Sequence, residues 1–351
     1  MAGMRGPLAV LLLVVVAAAG CAPRTVPIGP QTAEPRLADE SIRTADGAEL
    51  PLMAWRPDGD PKAVLVGLHG FNDYAEGFQL PGRWFAQHGY ALYAYDQRGF
   101  GRTRHRGLWP GTDSLVADAG TVVRLVRQRH PDTPVYLMGV SMGGAVILAA
   151  AGRDALPPVD GTVLVAPAVW ARQEMPFYQR WALWLTVHTV PWLTLSGAEL
   201  DRLPSSNIPM LYAFGRDPHV IGPTRIDAVH GLTGLMTEAL AAAESLERPT
   251  LALYGERDEI VPPQPMEKLW RRLDGGHTLG LYPDGWHMML RDLQAPTVWR
   301  DVAAWIDRGG RGPLPSGAAA RADSALAGSG LETRPRPARV RAGGPAARPD
   351  P

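Results

Sequence analysis

The chain has 351 residues, enough for one large α/β domain with appendages, and its 46% apolar and 20% charged residues allow a substantial buried core. Its 35 basic residues balance 35 acidic ones, which leaves no electrostatic basis for nucleic-acid binding or a polybasic membrane contact. A single cysteine excludes an intramolecular disulfide, no Cys/His cluster has zinc spacing, and no apolar stretch reaches the roughly 18 to 20 residues of a membrane-spanning helix.

Residues 1–20 read as a secretory signal: Arg5 gives a positive start, residues 8–19 form an apolar run of twelve, and Ala18, Ala19 and Gly20 are small. Cys21 follows directly. Small residues ahead of a cysteine resemble the bacterial lipoprotein box, which implies a lipidated Cys21 and a chain exported and anchored to a membrane of the bacterial envelope. Ala22 after the cysteine favours the outer membrane or the periplasmic face over inner-membrane retention. Residues 21–36, with Pro23, Pro27, Pro30 and Pro35, read as an extended tether.

Residues 37–308 alternate strand and helix patterns. Strands are expected at 40–44 and 50–55, as a hairpin around Asp46-Gly47, and then at 63–68, 91–95, 135–138, 162–165, 250–254 and 278–282. Helices are expected at 77–88, 114–129, 142–151, 235–246 and 297–307. This order implies an α/β fold with a mostly parallel sheet, helices on both faces and ligands bound beyond the carboxyl ends of the strands. Residues 170–234 exceed any ordinary crossover and read as an inserted, largely helical cap. In residues 309–351, 25 of 43 residues are Gly, Ala or Pro and none is aromatic, so this stretch is expected to be a disordered, solvated tail.

The strand at 135–138 runs into Gly139-Val140-Ser141-Met142-Gly143-Gly144 and an alanine-rich helix. This is the G-x-S-x-G elbow in its strand-before, helix-after setting, where a tight turn pushes Ser141 out above the sheet. A serine hydroxyl needs a base, and the base needs an orienting acid; in this fold the chain order is Ser, acid, His. Of the two histidines late enough in the chain, His277 starts a strand at the wrong edge, whereas His287 follows that strand's far end. Glu256, Asp258 and Glu259 compete for the acid position after the penultimate strand. Asp258, at the loop tip before Ile260-Val261, is favoured. The oxyanion hole calls for two backbone donors: the amide of Met142 and one from the loop His69-Gly70-Phe71-Asn72, for which Phe71 is the candidate. His69 reads as a loop-bonding side chain outside the chemistry.

Together His69-Gly70-Phe71, residues 95–101 (Tyr-Asp-Gln-Arg-Gly-Phe-Gly), the elbow at Ser141, Tyr254-Gly255 leading to Asp258, and Trp286-His287 resemble the serine α/β-hydrolases, within them the monoglyceride lipase and lysophospholipase-like branch. The resemblance covers residues 36–308. It implies structural roles for Asp96 and Arg98, with Gln97 and Phe100 standing where the family usually carries histidine. It further implies hydrolysis of a small-molecule acyl ester such as a monoacylglycerol or lysophospholipid, with no metal or cofactor. Cap aromatics, Trp181 and Trp184 foremost, are then expected either to line an acyl tunnel or to pack the cap onto the core. A general short-chain esterase and a non-catalytic envelope binding module are the competing readings.

Overall fold

The apolar runs become interior strands because each can bury both faces. In the computed structural model, which describes residues 22–197, 202–273, 276–328 and 331, nine strands form one sheet in the order β1-β2-β3-β5-β4-β6-β7-β10-β11. The expected signal segment, residues 1–20, and the expected lipidation position Cys21 lie outside the described residues. Strands β1 (Arg36–Leu37), β2 (Ser41–Arg43) and β3 (Glu49–Trp55) form an antiparallel edge. They are followed by β4 (Ala63–Leu68), α1 (Gln79–Gln87), β5 (Tyr90–Tyr95), α2 (Thr112–Arg129), β6 (Val135–Val140), α3 (Met142–Gly152) and β7 (Gly161–Val165). The inserted stretch holds α4 (Phe177–Thr189), β8 (Thr194–Ser196), α5 (Ile208–Arg216) and β9 (Pro223–Arg225), the two strands pairing as a separate ribbon. Then come α6 (Ile226–Ala241), β10 (Thr250–Gly255), α7 (Pro263–Arg272), β11 (Thr278–Tyr282), α8 (Ala295–Asp307) and α9 (Ala318–Ala327).

From β5 to β11 every neighbouring pair is parallel. The two-residue period of a strand sorts its side chains. Val64, Val66 and Leu68 of β4 enter one core with Leu115 of α2 and Ile147 of α3, while Ala63 and Leu65 enter the other with Phe85 of α1 and Val298 of α8. Helices therefore cover both faces, as the alternating pattern predicts.

Four stretches differ from expectation. Helix α6 begins at Ile226, not at residue 235, so the insertion spans about residues 170–225. Gly231 and Gly234 weaken the helix signal, yet a Cβ on Gly231 would lie 2.4 Å from the Trp109 ring, so close packing requires that glycine. Helix α7 is hidden by Pro263 and Pro265, which a first turn tolerates because its N–H groups lack helical partners. Residues 22–33 are docked, not a free tether: Arg24 N donates to Asp227 Oδ2 (3.1 Å), Val26 N to the Trp109 carbonyl (2.9 Å), Ile28 N to Ser114 Oγ (2.9 Å) and Gly29 N to Asp46 Oδ2 (2.9 Å).

The expected solvated tail is also corrected over residues 309–328. Leu314, Ala318 and Ala322 are buried, Ser316 N donates to Asp301 Oδ1 (3.0 Å), and Arg321 Nε donates to the Leu281 carbonyl (3.0 Å) on the edge strand β11. Composition misled here because a few small apolar side chains are enough to cover one strand edge. Residues 332–351 lie outside the described residues.

Candidate active site

Strand β6 ends at Val140 and α3 starts at Met142, leaving Ser141 alone in the turn with φ 51° and ψ −111°. A side chain other than glycine is strained there. The flanking glycines are required by close approach. A Cβ on Gly139 would lie 2.4 Å from the backbone of Gly143 and Gly144, and one on Gly143 would lie 2.2 Å from the Leu68 carbonyl oxygen. Hydrogen bonds from Ser141 N to the Val165 carbonyl and from Ala168 N to the Ser141 carbonyl, both 2.9 Å, hold the turn. The serine thus stands at the amino end of α3, beside helix N–H groups that have no partner within the helix.

The acid and histidine loops meet through two glycines. A Cβ on Gly255 would lie 2.3 Å from the Gly285 carbonyl oxygen, and Arg257 N donates to that carbonyl at 2.9 Å. This contact brings Asp258 and His287, both buried, to a 2.8 Å hydrogen bond between Oδ2 and Nδ1. Asp258 Oδ1 accepts the amides of Ile260 (2.8 Å) and Val261 (2.9 Å), so the carboxylate is aimed from both oxygens. With Nδ1 donating to Asp258, Nε2 is left as the ring's acceptor. No Ser141–His287 hydrogen bond is formed in this structure, and such contacts commonly tighten only with substrate bound. Of the rival carboxylates, Glu259 accepts the Leu203 amide (2.8 Å) of the cap, while His277 lies at the opposite end of β11.

The loop after β4 lies against the nucleophile, for a Cβ on Gly70 would be 3.5 Å from Ser141 Cβ. His69 ties this loop to the next one, as the sequence suggests: its Nδ1 bonds the Gly70 carbonyl (2.7 Å) and its Nε2 accepts from Gln97 N (2.8 Å). Burial pushes the His69 ring below its ordinary 6.5 and keeps it neutral. The Phe71 ring packs edge-on to Phe100 at 5.5 Å and tilted to Trp109 at 6.4 Å. Asp96 accepts the Ala75 amide (3.1 Å) and Arg102 Nε (2.9 Å), while Arg98 bonds both Asp118 and Asp46; these residues brace loops, as the resemblance implies.

Sequence reasoning missed how the cap is fastened. Asn72, next to Phe71 and left-handed at φ 65°, accepts Ile221 N at its carbonyl (3.0 Å) and donates from Nδ2 to Thr224 Oγ1 (2.6 Å). Tyr74 donates to Asp217 Oδ2 (2.6 Å). No spacing rule exposes these contacts, since the side-chain bonds join residues 152 and 143 apart in sequence. Of the cap aromatics, Trp181 is 64% exposed and Trp184 55%, whereas Trp170 packs against the core. Among the described residues no group of three or more His, Cys, Asp or Glu is placed to hold a metal ion.

A mostly parallel sheet carrying a strained serine turn, with an acid–histidine pair on the loops that follow two later strands, defines the class: the protein is an α/β-hydrolase. Residues 59–294 match the Hydrolase_4 family model, described as serine aminopeptidase, S33, and the chain belongs to that family. It is similar to a monoacylglycerol lipase of Mycolicibacterium smegmatis, 26% identical over 281 residues covering 76% of this chain and 96% of the relative. It is also similar to human monoglyceride lipase, 26% identical over 301 residues covering 80% and 96%. Among solved structures, a soluble variant of Saccharomyces cerevisiae monoglyceride lipase with a substrate analogue superposes with a TM-score of 0.66 at 21% identity, covering 81% of this chain and 98% of that one. The Paleococcus ferrophilus monoacylglycerol lipase gives 0.61 at 21%, covering 74% and 99%. Family and relatives together make this chain an ester hydrolase similar to the monoglyceride lipases.

Proposed function

We propose that the chain hydrolyses monoacylglycerols or lysophospholipids through an acyl-enzyme on Ser141. Ser141 Oγ attacks the ester carbonyl as His287 Nε2 takes its proton, and Asp258 orients the ring and stabilises the imidazolium. The amides of Phe71 and Met142 hold the oxyanion. His287 then returns the proton to the departing alcohol, and water, activated by the same nitrogen, releases the fatty acid. The observation that carries this reading is the buried Asp258–His287 hydrogen bond, on loops of the same sheet that bears the strained Ser141.

We further propose that the enzyme works at a membrane surface. Ten of the fourteen exposed large apolar side chains among the described residues lie between residues 177 and 212, and residues 181–195 carry no Asp, Glu, Lys or Arg. Such a face suits insertion among lipid headgroups. Arg24, three residues after Cys21 in sequence, is docked at the amino end of α6 beside the cap. Both features support a lipid-anchored envelope enzyme that takes its substrate from the bilayer.

The test is turnover of p-nitrophenyl esters from acetate to palmitate, with 1-monoacylglycerol and lysophosphatidylcholine alongside, by the wild type and Ser141→Ala. Activity that rises with acyl length and is lost in the variant supports the lipase reading. Activity confined to acetate and butyrate supports a general short-chain esterase instead. Absence of both turnover and fluorophosphonate labelling at Ser141 would leave the binding-module reading.

A further inference from the structure

Asp292 is a buried carboxylate, 4% exposed, with no Lys, Arg or His paired to it among the described residues. Burying such a group is costly unless donors satisfy it. Five donors do. Its Oδ1 accepts from Ser205 Oγ (3.0 Å), Ser206 N (2.8 Å), Ser206 Oγ and Leu293 N (3.1 Å), and its Oδ2 accepts from Trp286 N (3.3 Å). The amino end of α8, three residues on, offsets part of the remaining cost.

The origin of the donors is the informative part. Ser205 and Ser206 belong to the cap, between β8 and α5, whereas Trp286 immediately precedes His287. On the other side of His287, Met288 N donates to the Pro204 carbonyl at 2.8 Å, and Asn207 Nδ2 donates to the Arg291 carbonyl at 2.9 Å. The histidine is thus bracketed. The amide before it is held by Asp292, the amide after it by the cap, and Asp292 grips that same cap segment.

We propose that Asp292 is a positioning residue that fixes the His287 loop by clamping residues 204–206 of the cap against it. The clamp makes the base's position depend on the cap's position. It never touches substrate; it acts through His287, and the inference therefore rests on His287 serving as the base for Ser141. A residue that only stabilised the fold would be indifferent to which step of catalysis slows. A positioning residue lowers kcat and the reactivity of Ser141 while leaving substrate binding in place.

The experiment compares wild type, Asp292→Asn and the double variant Ser205→Ala/Ser206→Ala, which removes two hydroxyl donors and keeps the carboxylate. Circular dichroism and melting curves establish that each is folded. Two rates are read: kcat and KM on p-nitrophenyl butyrate, and the rate at which a fluorophosphonate labels Ser141, which needs the base but no particular ester. The expected result is a fall of about tenfold or more in kcat and in labelling rate, with KM within about twofold, for both variants. Folded variants that label Ser141 at the wild-type rate overturn the proposal, and so does a change confined to KM. If the wild type labels rapidly but turns over no ester, the substrate reading fails and the labelling comparison still decides the role of Asp292. If His287→Ala labels as fast as wild type, the base assignment fails, and the proposal with it.

Discussion

Ser141 owes its exposure to a backbone that only its glycine neighbours permit. Gly143→Ala places a methyl group 2.2 Å from the Leu68 carbonyl oxygen, so the variant should lose about 2 to 3 kcal/mol in urea unfolding besides its activity. Asp258→Asn keeps the size of the side chain but presents an amide where His287 Nδ1 needs an acceptor, and kcat should fall by about a thousandfold or more with little change in melting temperature. His69 gives a prediction about stability. Because burial holds its folded-state pKa below 6.5, the unfolded chain binds a proton that the native chain refuses as pH falls below that value. Its contribution is therefore complete above 6.5 and is lost on the acid side, and His69→Gln should flatten the decline of melting temperature as pH falls below about 6.5. These residues were legible in the sequence because each is tied to its role by near neighbours: glycines beside the serine, a strand end before the acid, a loop after β11 before His287.

At the scale of elements, the cap behaves as a part clasped to the catalytic loops. Asn72 and Tyr74 bind its residues 217–224 to the loop that carries Phe71. Asn72→Ala removes the Thr224 hydrogen bond and leaves a side chain unsuited to φ 65°. It should lower kcat on p-nitrophenyl butyrate about tenfold with α-helical circular dichroism preserved; an unchanged kcat would show that the clasp is dispensable. The end of the chain behaves differently. Stopping at Arg308 strips Leu314, Ala318 and Ala322 from the core and uncovers the edge of β11, which should cost about 5 °C or more of melting temperature and promote aggregation in light scattering. Periodicity could not reveal either feature. The clasp joins loops through side chains, and α9 is an alanine-rich helix whose burial comes from the edge it happens to meet.

For the molecule as a whole, the lipid-anchored reading proposed above predicts that the exposed apolar side chains of the cap face the bilayer. Lipid vesicles should retain wild type better than Trp181→Ala/Trp184→Ala, and this double variant should lose little stability, since both rings are more than half exposed. Flotation with vesicles, read beside melting curves, checks both halves of that statement. The sequence by itself determined the class of fold and the elbow, because hydrophobic period, glycine placement and strand–helix order are local properties of the chain. It also singled out Ser141 and His287 by their order along the chain, and narrowed the acid to Glu256, Asp258 and Glu259 with Asp258 favoured. Tertiary structure alone decided which carboxylate meets the histidine, where the cap ends, which way its tryptophans point and what the strap and α9 cover. The physical reason is that each of those outcomes is a contact between distant segments, and its free energy depends on what the rest of the fold presents at that spot.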